Sequence, residues 1–139
     1  MMAGAIGSLG ADRLAPLLAA SGIDLAAVPA TVLLVAMVWL FPLLGQVGMN
    51  PILSSALIAP LLPSAASLGV SPIAILTAIT AGWSLAGASS PFTATTLLIG
   101  SFAGRSALHV GLRWNGLYTL VTAVVLSHWV ALAAQILPA

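Results

Sequence analysis

Residues 71–104 read SPIAILTAITAGWSLAGASSPFTATTLLIGSFAG, about 34 positions without one ionised side chain before the next arginine. A helix rises 1.5 Å per residue, so about 20 residues cross the hydrocarbon core of a bilayer. This stretch is too long for one straight crossing, and it carries an interruption of its own at residues 87–93, GASSPFT. Residues 71–86 precede the interruption, and residues 95–103 follow it, too short to span alone. The stretch therefore predicts one discontinuous transmembrane helix over 71–104 with an unwound centre. Irregular backbone at membrane depth survives only where protein or a water-filled cavity satisfies its hydrogen bonds.

The rest of the composition agrees with a lipid environment. The chain has 139 residues, 61% of them hydrophobic and 4% charged, with a mean hydropathy of +1.21. A soluble domain carries about 25% charged residues. The three basic and two acidic residues are Arg13, Arg105 and Arg113, and Asp12 and Asp24. None stands between Asp24 and Arg105, a gap that predicts segments buried in lipid or in protein. The fold class expected is all-α integral membrane, with the lipid bilayer as a partner. A net charge of +1 supplies no basic stripe for nucleic acid, and the absence of Cys excludes disulfides, thiolate metal sites and redox motifs. Residues 1–10 lack a basic leader region and run straight into Asp12-Arg13, which argues against a signal peptide.

Breakers divide the remainder. Residues 1–27 form an interfacial amphipathic segment and link, with Asp12 and Arg13 against Ile6, Leu9, Leu14, Leu17 and Leu18, closing through Ser21, Gly22, Ile23 and Asp24. Residues 28–63 hold a strong apolar helix to about Leu44, a polar tip at residues 45–51 (GQVGMNP), and a second apolar arm of about eleven residues to Leu62. The short second arm favours a re-entrant helical hairpin over two full crossings; one full helix with a buried connector is the alternative. Residues 105–116 form the only basic loop, which Arg105 and Arg113 place in the cytoplasm by the positive-inside rule. Residues 117–139 are then a final transmembrane helix with an extracytoplasmic C-terminus, and the hairpin opens from the outer face of the inner (plasma) membrane.

No catalytic constellation is present: His109 and His128 have no carboxylate near them in sequence, so no enzyme and no metal site are expected. What remains are neutral oxygens and amides gathered at the two interruptions. The candidate substrate- or ion-binding residues are Gly48, Asn50 and Ser54 at the first, and Ser89, Ser90 and Thr93 at the second. Freed carbonyls with Ser, Thr and Asn oxygens suit a hard cation. Helix N-termini at Pro51 and near Phe92 suit an anion. Discontinuous helices combining the two are the recurring plan of secondary transporters. For any single Ser or Thr, helix packing competes with ligation, whereas Asn50, between Gly48 and Pro51, favours ligation. Met37, Trp39, Met49 and Trp83 read as packing or lipid-facing residues.

The order of pieces resembles the C-terminal repeat of the ion-transporter superfamily, which includes divalent-anion:sodium symporters and arsenite permeases. The resemblance runs through the whole chain. Ser8 to Ala15 resembles the entry to that family's interfacial helix, and Gly48-Met49-Asn50-Pro51 stands at the hairpin tip, with Pro60 closing the second arm. Ser90-Pro91-Phe92-Thr93 and the residues to Gly100 resemble the Pro/Thr-rich break. Gly111-Leu112-Arg113-Trp114-Asn115 resembles the opening of the last helix. The tip holds Met49 and Pro51 where the symporters have Ser and Thr, and the break lacks their Gly-Thr-Pro-Pro-Asn wording.

The resemblance implies a secondary carrier of a small anion, coupled to Na⁺ or H⁺, with no other cofactor. It implies a midplane site shared between two inverted repeats, and a homo-oligomer. One repeat alone implies a fragment, a truncated frame or half of a split carrier whose partner is the N-terminal half. A non-transporting membrane scaffold or assembly subunit is the alternative.

Overall fold

A computed structural model describes residues 2–22 and 24–137. Ile23 of the expected link and Pro138 of the expected last helix lie outside the described residues, as do the side chains of Ile6, Ser8 and Ala11. Every regular element among the described residues is helical. They are α1 (Met2–Ala20), α2 (Ala30–Gln46), α3 (Pro51–Ile58) with a 3₁₀ turn (Ala59–Leu61), α4 (Ala65–Leu68), α5 (Pro72–Ser89), α6 (Ala94–Ala103), a π-helical stretch (His109–Trp114) and α7 (Gly116–Ile136).

Proline sets several of these boundaries. A residue before Pro is pushed out of the α region, and Pro itself suits the first helical position. Ser71 before Pro72 is extended, at φ −65° and ψ 142°, and its hydroxyl caps α5 by accepting from the Ile73 N–H at 3.3 Å. Ser90 before Pro91 is extended in the same way, which stops α5. The discontinuous helix over 71–104 is therefore present, with its interruption at Ser90 to Thr93.

Three helices make the core. Leu33, Leu34, Met37, Val38 and Phe41 of α2 pack on Ala74, Ala78, Ala81, Leu85 and Ala86 of α5, with Ala123 and Val130 of α7 closing the third side. Small residues on α5 set the spacing. A Cβ on Gly82 would stand 2.6 Å from the Met37 carbonyl and 3.0 Å from the Phe41 Cβ. Met37 meets Gly82 and Gly45 meets Ser90, so α2 and α5 run parallel. The Ser71 N–H donates to the Leu137 carbonyl at 3.0 Å, and Asn115 Nδ2 donates to the Ala88 carbonyl at 2.8 Å. These ties join opposite ends of α5 and α7, which are antiparallel along their whole length. Trp39 Nε1 donates to Ser127 Oγ at 3.0 Å and pins α2 to α7.

Two expectations are corrected. The arms of the expected hairpin do not pair along their length: α2 packs on α5 and α7, while α3 lies mainly against α1. The α2 face that an antiparallel partner would need is already covered by α5, and Gly10 of α1 offers Leu57 of α3 a seat that a Cβ would fill. Nor is 105–116 a loop. After a turn at Gly104 to Ser106 the chain is helical again from Ala107, and the π-helical stretch leads into α7 with only Asn115 between them. The π register is visible in the Asn115 N–H donating five residues back to the Val110 carbonyl at 3.1 Å. In the expected interfacial segment Leu9, Leu14 and Leu17 are exposed along with Asp12 and Arg13.

Two helical segments among the described residues are long and apolar enough to cross a membrane: Pro72–Ala103, taken across its interruption, and Gly116–Ile136. Ala30–Gln46 and Pro51–Leu61 are apolar but shorter.

Candidate functional site

The first interruption follows the same proline chemistry as the second. Asn50 precedes Pro51 and is extended at φ −65° and ψ 135°; Ser90 precedes Pro91 at φ −70° and ψ 130°. Gly48 supplies a left-handed turn between α2 and α3, with φ 88°, a conformation open to glycine without a steric clash.

The groups released by each interruption are taken up nearby. Asn50 Oδ1 accepts from the Ile52 N–H at 2.8 Å and so caps α3, leaving its Nδ2 without an acceptor among the described residues. Ser90 Oγ donates to the Gly45 carbonyl at 2.7 Å and accepts from the Phe92 N–H at 3.2 Å. The Thr93 hydroxyl lies 3.0 Å from the Gly87 carbonyl, 3.1 Å from the Ser90 carbonyl and 3.2 Å from Thr96 Oγ1. Thr96, fully buried, donates to the Ser90 carbonyl at 2.6 Å. Each hydroxyl has one proton, so these contacts are one network with alternative donations.

The Ser90–Gly45 bond holds the turn between α2 and α3 against the interruption of the long helix. Between them lies a cavity of about 270 Å³, lined by Gly48, Met49, Asn50, Pro51 and Ile52 from one side and by Trp83, Gly87, Ser90, Phe92, Thr93 and Ala94 from the other. Four of the six residues singled out in the sequence share it: Gly48, Asn50, Ser90 and Thr93. Ser54 does not line it. That residue is buried one turn into α3, where its hydroxyl donates to the Asn50 carbonyl at 3.2 Å. Ser89 faces the opposite way: its hydroxyl donates to Leu85 at 2.8 Å, accepts a long 3.4 Å bond from Gln46 Nε2, and lines a different cavity.

Met49 and Trp83, read from the sequence as packing or lipid-facing residues, are part of the wall, as is Phe92. Trp83 is four residues before Gly87, one helical turn away on the same face, and that spacing was the available signal. Behind the wall the π-helical stretch closes on the end of α5. Gly111 lies so near the Ser89 carbonyl that any Cβ would collide with it, and Asn115 takes up the Ala88 carbonyl.

No ionised side chain lines the cavity. The N-terminus of α6 adjoins it, and the N-cap Thr93 makes no side-chain capping bond there. The opening amides and the positive dipole end of α6 thus favour an anion. The carbonyls of Gly87 and Ser90 are engaged by hydroxyls and so do not form an open shell of cation ligands. No group of three or more His, Cys, Asp or Glu gathers among the described residues. No family model matches this chain, and no curated protein or solved structure matches it either.

Proposed function

We propose that the chain is a multi-pass membrane segment that supplies one side of a small-anion site in a secondary carrier. One observation carries the reading: two helix interruptions about forty residues apart wall a single cavity containing Asn50, Ser90 and Thr93. The uncapped N-terminus of α6, the free Asn50 carboxamide donor and the absence of carboxylates all favour an anion over a cation. Coupling to Na⁺ or H⁺, a complementary N-terminal half and a homo-oligomeric assembly belong to the same proposal.

The depth differs from the midplane site that the resemblance implies if α5 and α7 by themselves make the crossing. Asn115, at the start of α7, is tied to Ala88, so the interruption is level with the first turn of α7. α7 has 21 residues, a length of about 31 Å, and α5 has 18, about 27 Å. A pair that itself crosses about 30 Å of hydrocarbon puts the cavity near one membrane surface, reached from the side that carries Arg105 and Arg113. Together with the closed hydroxyl network, this depth favours a second reading, a scaffold subunit whose interruptions only shape the bundle.

Uptake separates the two. With the chain expressed from its native locus, so that any partner segment is present, membrane vesicles are tested with labelled sulfate, phosphate and succinate. Asn50→Ser keeps a capping oxygen for α3 but removes the carboxamide donor, and Thr93→Val removes the hydroxyl at constant shape. Loss of more than about tenfold in uptake of one anion, at unchanged membrane level, supports the carrier. Uptake by the double variant equal to wild type leaves the scaffold reading.

A further inference from the structure

Residues 104–114 carry two of the chain's three arginines, Arg105 and Arg113, with His109 midway between them. The backbone beneath them is pinned at both ends. Gly104 takes the left-handed conformation at φ 62°, and the Arg105 N–H donates back to the Gly100 carbonyl at 2.8 Å. A Cβ on Gly100 would stand 2.7 Å from the Arg105 carbonyl, so the turn folds tightly onto α6. The Ser106 hydroxyl then accepts from the His109 N–H at 3.2 Å and caps the next helical stretch. Further on, Gly111 abuts the Ser89 carbonyl and Asn115 is tied to Ala88. Both arginines are thus presented by ordered backbone.

Nothing in the chain neutralises them. Both are exposed, and neither makes an ion pair or a side-chain hydrogen bond among the described residues. Of the two carboxylates, Asp24 precedes the start of α2, whose other end meets the interruption. Asp12 lies on α1, which packs mainly on α3. The π register adds an aromatic ring to the patch. Residues five apart do not share a face of an α-helix, but they are one turn apart in a π-helix. Here the Trp114 ring meets His109 edge-on, with centroids 5.5 Å apart. Trp114 is exposed, as are Leu108 and Leu112 on the same stretch and Tyr118 on the first turn of α7.

Two unpaired positive charges and exposed aromatic rings, directly before an apolar helix of 21 residues, match the chemistry of a leaflet boundary, with phosphates outside and acyl chains beneath. A guanidinium fork pairs with phosphate oxygens through two parallel hydrogen bonds. We propose that residues 105–114 form a docking surface for the headgroups of anionic phospholipids. Arg105 and Arg113 pair with headgroup phosphates, while Leu112 and Trp114 lie against the first carbons of the acyl chains. The exposed apolar neighbours favour a lipid over a soluble anion. The stretch has no acidic side chain, so the cationic amine of a zwitterionic lipid finds no counter-charge there, which favours an anionic lipid. The inference rests on the reading of α7 as a membrane crossing and is independent of whether the chain transports an anion.

The test places the full chain in nanodiscs of equal phosphatidylcholine and phosphatidylglycerol with the same acyl chains. Native mass spectrometry then identifies the lipids that stay bound to the released protein. Phosphatidylglycerol is expected to be enriched over phosphatidylcholine, with each arginine contributing about fivefold at an anionic surface. Arg105→Gln and Arg113→Gln should each lower the enrichment about fivefold, and the double variant should retain the two lipids equally. Arg13→Gln, exposed on α1 beside Asp12, should match wild type. A wild type without enrichment, or a double variant as enriched as wild type, overturns the proposal. So does an equal loss in Arg13→Gln, since net charge alone would then decide. Carbonate treatment of vesicles separates this inference from the membrane reading beneath it. A chain that is extracted overturns both, whereas a chain that stays in the membrane and shows no enrichment overturns this inference alone.

Discussion

Ser90 Oγ donates a 2.7 Å hydrogen bond to the carbonyl of Gly45, joining the end of one helix to the interruption of another across 45 positions of sequence. Both partners are buried, and Gly45 has no side chain, so a Cβ there would stand 3.1 Å from the Ser90 Cβ. The bond holds the tip at Gly48 to Asn50 over Thr93 and thereby defines the first cavity.

Removing it has a measurable cost. Ser90→Ala is expected to lower stability by about 1 kcal/mol, near the net value of one hydrogen bond. The effect is bounded because Gly45 still accepts from the Gly48 N–H at 3.2 Å. Thermal unfolding in detergent checks this, with Ser101→Ala, exposed on α6, as the control that stays at the wild-type midpoint.

Two glycines of α5 should respond in opposite directions. At Gly82 a Cβ meets the backbone of α2 at 2.6 Å and cannot be accommodated by a rotamer change, so Gly82→Ala should cost about 1–3 kcal/mol. At Gly87 nothing lies within 4 Å, and Ala is the better helix former by about 1 kcal/mol. Gly87→Ala should therefore be neutral or stabilising. Equal midpoints for the two variants would contradict the α2–α5 packing.

Asn115 is expected to act on the interruption and not on α7. Asn115→Ala leaves the Ala88 carbonyl without its 2.8 Å donor. Amide hydrogen exchange in a peptide covering residues 88–96 should quicken about fivefold, the equivalent of about 1 kcal/mol in local opening. Exchange in residues 120–130 should stay as in wild type. Acceleration along all of α7 would mean that Asn115 holds the helix itself.

The proposed orientation rests on two arginines. Arg105 lies in the turn after α6 and Arg113 near the start of α7, and both are exposed. With basic ends retained in the cytoplasm, an impermeant thiol reagent should label Ser106→Cys only from the cytoplasmic side, and Gln135→Cys, at the far end of α7, only from outside. The reverse pattern inverts the chain in the membrane.

The helix boundaries were legible in the sequence because their causes are local. Pro51, Pro72 and Pro91 fix the backbone of the residue before them, and Asn50 and Ser71 cap within two residues. A charge-free stretch between Asp24 and Arg105 likewise needs no tertiary information to read. Which oxygens meet was not legible. Ser89 and Ser90 are neighbours in sequence, yet Ser89 ends α5 while Ser90 is already extended, and only the positions of α2 and α7 decide that Ser90 lines the cavity with Asn50 while Ser89 lines the cavity with Thr119. The stretch 105–116 reads in the sequence as a basic loop because it carries Arg105 and Arg113 between two apolar stretches. It is mostly helical, and it packs on the end of α5, where the Ser89 carbonyl leaves no room for a side chain at Gly111 and the Ala88 carbonyl accepts from the amide of Asn115. Those requirements come from a segment more than twenty residues away, and only folding brings it there.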